Sequence, residues 1–270
     1  MADLLDSSRL YLHLIGASMR SQAQYRTSLA LETVGVLAFS FLDFVAILII
    51  FANVPELAGW SLAEVALLYA LATMAFALTD LAVGHLDFFP QLIRDGNFDL
   101  LLVRPRSTLF QVVTADFQLR RLGKVAQGVG VLVFALSQLH IDWSPDRALV
   151  LALAPLSGAL IFGSVWIAAI CVAFWTVEGR EAANVFTYGG QTLAQYPVNI
   201  YDRWLRGFLA FVVPTAFVSY FPALYVLGKS DPLGLPPWLQ PDSIVVAVLT
   251  AVVAGGVWRV AVRHYRSAGG

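Results

Sequence analysis

Long apolar runs separated by short polar stretches dominate this chain, and their lengths set the first expectation. A helix that crosses a bilayer needs about 20 predominantly apolar residues. Runs of that order lie near 29–52, 62–84, 148–176 and 242–262, with a shorter one near 125–139 after a polar approach over 114–124. Between the fourth and last runs the pattern weakens. Residues 181–200 are mildly apolar and carry Gly189, Gly190 and Pro197, while 203–228 is apolar but split by Pro214 and Pro222. Interrupted helices at membrane depth are tolerated where they are buried in protein or line a cavity. The pattern therefore predicts six spans, the fifth a short one over 181–197, with 203–228 forming re-entrant or interfacial helices at the outer face. The expected fold class is an all-α polytopic membrane protein, a single transmembrane domain over 1–270.

Two polar segments stand out against this background. Residues 4–26 place Leu12, Ile15 and Met19 on one helical face, with Tyr11 and Leu14 beside them and Arg9, Arg20 and Arg26 on polar ground. That is the pattern of a helix lying in the membrane interface, though a soluble amphipathic cap on the bundle would share it. The second segment, 89–106, reads FPQLIRDGNFDLLLVRPR and carries Arg94, Asp95, Asp99, Arg104 and Arg106. Each charge at the centre of a membrane helix costs roughly 2.5–3.5 kcal/mol, so five of them place the segment outside the hydrocarbon. Its punctuation predicts a small folded unit. Pro90 suits the first turn of a short helix, Gly96 and Asn97 are residue types that end one, and Pro105 closes the unit. Phe98, Leu100, Leu101, Leu102 and Val103 give it an apolar body. Such a charged knob is something a partner protein can grip.

Composition agrees with the run lengths. Hydrophobic residues make up 59% of the chain and charged residues 13%, with a mean hydropathy of +0.73; soluble domains carry about 25% charged residues. A net charge of −1 without a basic cluster offers nothing to nucleic acid. Cys171 is the single cysteine, so no internal disulfide framework exists. No cleavable signal is expected, because the first long apolar stretch exceeds an h-region. With both termini in the cytoplasm, 13 of the 17 Lys and Arg residues fall on the inner side, leaving Arg147, Arg203, Arg206 and Lys229 outside. This follows the positive-inside rule, and Trp60, Trp143, Trp204 and Trp238 fall beside proposed outer ends as an aromatic belt would. The topology puts the 89–106 knob in the cytoplasm.

Catalytic chemistry finds little support. Gly228-Lys229-Ser230 resembles the end of a phosphate-binding loop, but Ala223 stands where that motif needs glycine. The four histidines show no metal spacing, and Asp80, Asp87 and Asp95 do not form the repeated acidic pairs that a Mg²⁺-dependent transferase would need. No cofactor is expected on this chain. Ionisable residues within spans are functional candidates by default. Glu32, Glu64, Asp80, Asp116, Glu178 and Glu181 lie near span ends, where pairing with Arg120, Arg121 and Lys124 or an interfacial seat would explain them. Asp43 lies halfway along the first span. Asp43, Glu178, Tyr188 and Tyr196 are the candidate lining of a translocation path, with aromatic rings able to attract a cation.

The stretch LIRDGNFDLLLVRP resembles the signature cytoplasmic segment of ATP-binding-cassette (ABC) exporter permeases of the second type, in the viologen-exporter-like branch. LFQVVTADFQLRRLGK, QYR at 24–26 and the block from Phe186 to Gly228 are similar to the same branch, so the likeness spans nearly the whole chain. It implies an inner-membrane permease subunit of a bacterial exporter that binds no ATP itself. Two such permeases pair around a central path, a related heterodimer partner being favoured over a second copy, and two separate ABC ATPase subunits dock on the coupling elements. On this sequence the docking residues would be Leu92, Ile93, Arg94, Asp95, Gly96, Asn97, Phe98, Asp99 and Arg104. The branch name implies a drug-like, organic-cation or lipid-like cargo. Two other classes remain on sequence grounds: an ion-coupled secondary carrier using Asp43 and Glu178, and a scaffold subunit that moves nothing. A carrier would show repeats and broken helices in both halves, whereas only the C-terminal half is broken here.

Overall fold

The structure is a computed structural model that describes residues 16, 20–21, 24–115, 119–176, 179–231 and 240–265. Most of the expected interfacial helix over 4–26, together with Asp116, Glu178 and Trp238, lies outside the described residues. Among those described the chain is helical throughout, apart from connecting turns and one isolated bridge between Leu57 and Trp60.

Helix α1 (Arg26–Asn53) stops where Val54 turns extended, as a residue ahead of proline must. Helix α2 (Leu62–Val83) starts on a capping box: the Ser61 hydroxyl accepts from the Glu64 N–H while the Glu64 carboxylate accepts from the Ser61 N–H at 2.8 Å. It runs on through a 3-10 turn (Gly84–Phe88) into α3 (Phe89–Arg94), followed by α4 (Phe98–Leu102) and α5 (Thr108–Val113). Helix α6 (Leu122–Gln138) returns across the bundle. Helix α7 (Pro145–Ile170) opens with Ser144 as cap and Pro145 in its first turn. Helices α8 (Gly179–Ala194), α9 (Arg203–Gly207), α10 (Tyr220–Leu227) and α11 (Ser243–Arg263) complete the chain.

Among the described residues, four helices are long and apolar enough to cross a bilayer: Thr27–Asn53, Leu62–Arg94, Pro145–Phe174 and Ser243–Arg263. Helix α6 has 17 residues, about 25 Å at 1.5 Å per residue, and α8 has 16 and is only weakly apolar. Helix α2 is the axis of the molecule. Its apolar stretch is 72% buried, against 17% for α1 and 22% for α11. Small residues let its neighbours come close. A side chain at Gly128 of α6 would strike Met74, and one at Gly158 of α7 would strike Ala75 and Val218.

The segment from Asn199 to Lys229 leaves and rejoins one end of the bundle. Asn199 donates to the Ala58 carbonyl at 3.0 Å, and Lys229 donates to the Gly59 carbonyl at 2.9 Å, so both ends meet one turn. In between, Arg203–Val212 and Thr215–Leu227 are bent by 73°, and Val218 reaches the middle of α7 at Gly158. Gly228, with φ of 67°, ends α10 in the left-handed conformation. Lys229 also bonds Glu64 at 2.8 Å and lies 4.7 Å over the Trp60 ring. Trp60 is thereby enclosed, 3% exposed, whereas Trp143 and Trp204 are exposed.

Candidate functional site

At the opposite end of the bundle, residues 84–113 fold back as a knob. Pro90 occupies the first turn of α3. The helix closes with the Asp95 N–H donating to the Gln91 carbonyl at 2.9 Å and the Gly96 N–H to the Ile93 carbonyl at 3.1 Å. Gly96 takes φ of 70°, which only glycine adopts without strain. Asn97 does not share that conformation; its φ is −68° and it opens α4 instead. Two rings pin the unit from beneath. Phe89 and Phe98 pack at 5.8 Å, and both contact Phe174 and Trp258, with Tyr265 at 4.8 Å from Phe98. The Gln111 side chain clips the far edge by donating to the carbonyls of Leu101 and Arg106 at 3.0 and 2.9 Å. His85 bonds the Val112 carbonyl.

This geometry sorts the expected docking residues. Arg94, Asp95, Asn97 and Arg104 are exposed, whereas Leu92, Ile93, Gly96 and Asp99 are half-buried. Phe98 is wholly enclosed and has no surface to offer a partner. It corrects the expected set, since its ring holds the knob to α11 and the turn after α7. Sequence reading counted Phe98 with the apolar body yet could not see that Phe174, Trp258 and Tyr265 close over it.

A second polar cluster lies inside the bundle where α1, α2, α6 and α8 meet. Arg121 donates to the Asp80 carboxylate and to the Asp80 carbonyl, and the pair is largely buried. Gly84 makes room for that guanidinium, which a side chain there would overlap. Lys124 hydrogen-bonds Gln191 of α8 at 3.3 Å and lies 4.7 Å over the Phe76 ring. Tyr188 donates to Asp87 at 3.0 Å and packs against Phe76 and Trp166. Nearer the middle, Gln127 donates to the Ser40 carbonyl at 2.6 Å and to the Tyr69 hydroxyl, joining α1, α2 and α6. Glu32, Ser40, Asp80, Arg121 and Lys124 line a cavity of about 480 Å³ open to the side of α1.

The four path candidates are only partly brought together. Tyr188 belongs to this cluster. Tyr196 is half-buried below it. Asp43 is exposed on α1 beside Phe39 and Leu42. Glu178 lies outside the described residues. Of the end carboxylates, Asp80 does pair with Arg121, while Glu64 pairs with Lys229 across the other end. The interior seats of Lys124 and Gln191 have no signal in the sequence, because neither residue type at one turn from a helix end announces burial. No group of three potential metal ligands occurs among the described residues.

The family described as ABC-2 family transporter protein matches residues 37–269. No curated protein and no solved structure matches the chain.

Proposed function

Since the chain belongs to the ABC-2 transporter family, an integral membrane transport component, we propose that it is the permease half of an exporter whose ATPase is a separate subunit. The knob is the coupling element in this reading. Its fit to the role rests on one observation: exposed Arg94, Asp95 and Asn97 crown a turn whose underside, Phe89 and Phe98, is seated on Phe174 and Trp258. A push on the crown is carried into α7 and α11 through packed rings, which have little room to yield.

Six spans follow if α6 and α8 are counted with the four long helices, and the Asn199–Lys229 segment then re-enters from the outer face without crossing. The cations sort accordingly. Arg94, Arg104, Arg106, Arg121, Lys124, Arg180, Arg259 and Arg263 lie at the knob end, and Arg147, Arg203, Arg206 and Lys229 at the other. The bias supports a cytoplasmic knob. The thinly covered α1 supports a second permease against it. An exposed Asp43 in mid-span is costly in lipid and suits a water-lined path or a subunit seam. The viologen-exporter-like branch suggests a drug-like, organic-cation or lipid-like cargo.

The test is co-purification. Asp95→Lys is expected to abolish capture of the cognate ABC ATPase while the permease keeps its detergent-extracted yield and melting point. Capture at wild-type level by Asp95→Lys and by Asp99→Lys would remove the knob from the interface.

A further inference from the structure

A groove on the opposite flank of α2 has no place in the transport scheme. Helix α7 forms its floor, α2 and α11 its walls, and α5 roofs one end. Its apolar part, about 570 Å³, is lined by small and branched side chains including Thr79, Ala82, Ala159, Gly163 and Ala251. A second cavity of about 430 Å³ continues it toward the knob end and is lined by Ser107, Thr108, Trp258, Arg259 and Arg263. Ser107, Leu109 and Gly255 line both, so the two are one continuous slot.

We infer that this slot binds an acidic phospholipid, its acyl chain along α7 and its phosphate between Arg259 and Arg263. Length, charge and shape converge on that occupant. Ala251 to Arg263 spans roughly 18 Å of helix, close to one leaflet of a bilayer whose hydrocarbon is about 30 Å thick. The apolar end therefore lies near mid-membrane and the arginines at headgroup level. Arg259 and Arg263 stand four residues apart on one face of α11, and neither forms an ion pair with any described carboxylate. Basic pockets between membrane helices recognise phosphate headgroups in this way. Trp258 donates to Thr108 at 3.2 Å, which fixes the wall behind the headgroup pocket. Because Trp258 also packs on Phe89 and Phe98, a bound lipid would brace the base of the knob.

The lipid is tested on the full chain, extracted from vesicles of phosphatidylcholine and phosphatidylglycerol and examined by native mass spectrometry. Wild type is expected to retain phosphatidylglycerol in preference. Arg259→Gln with Arg263→Gln should lower that preference roughly thirtyfold, the factor expected for two surface-depth arginines. Gly255→Leu supplies a variant that fills the slot, since a Cβ added at this slot-lining position meets nothing within 4 Å; it should lose the lipid and keep the melting point. Equal retention by all three proteins would overturn the inference. So would full competition by soluble glycerol phosphate, which would mark a phosphate pocket without a chain site, or a change of oligomeric mass in Gly255→Leu, which would mark a second copy as the occupant. None of these readings involves an ATPase, so failure of the exporter proposal would leave them unchanged.

Discussion

Removing the Phe98 ring should release the knob while leaving the bundle standing. The side chain is fully enclosed and touches four other rings, at 5.8, 5.3, 6.4 and 4.8 Å. Truncating a buried phenylalanine to alanine costs about 3–5 kcal/mol. Helices of six and five residues have no stability of their own in water, so α3 and α4 are held by their contacts with α11 and the turn after α7. In Phe98→Ala the loss falls on that local docking equilibrium and not on the core around α2. A loss of 3 kcal/mol raises the open fraction roughly 100-fold. Trypsin cleavage after Arg106, an exposed site, reads that fraction directly in detergent micelles when reclosing is fast. Phe98→Ala is expected to be cut there about 100-fold faster, with the remaining helices intact, whereas Phe98→Leu should lie within about tenfold of wild type. Cleavage of Phe98→Ala at the wild-type rate would refute the anchoring role. General proteolysis of all the helices would refute the claim that the knob opens as a separate unit.

Other expectations concern the interior. Asp80→Ala leaves the Arg121 guanidinium without its carboxylate in a largely buried seat, so it should lower stability by about 3 kcal/mol; Asp80→Ala with Arg121→Ala should recover much of that, measured by thermal melting in detergent. Additive losses would show that the pair is not coupled. Asp43→Asn should alter cargo preference in a reconstituted complex while ATPase capture stays normal, and unchanged transport of every cargo would return Asp43 to a structural role.

The membrane class, the approximate helix bounds and the existence of the knob were legible because each follows from local composition. Apolar runs at 29–52, 62–84, 148–176 and 242–262 became helices, since a chain in hydrocarbon must satisfy its own backbone polar groups within each segment. Pro90 and Gly96 marked the ends of α3 for equally local reasons. For Asp80 the residues alone left pairing with the Arg120, Arg121 and Lys124 cluster or an interfacial seat open, and the fold takes the first, with Arg121 as partner.

What the residues alone determined, then, is a chain of helices with a charged excursion between the second and third apolar runs. Tertiary structure decided which faces meet. It put Phe98 under Phe174 and Trp258, sent Glu64 to Lys229 across 165 positions, enclosed Trp60, and left Asp43 on the surface of α1. It also opened the slot between α2, α7 and α11, whose walls come from residues 78–83, 159–167 and 251–263. These outcomes depend on contacts between residues far apart in the chain, chosen by packing around α2, and membrane spans that are apolar on nearly every side carry no stripe that could announce them.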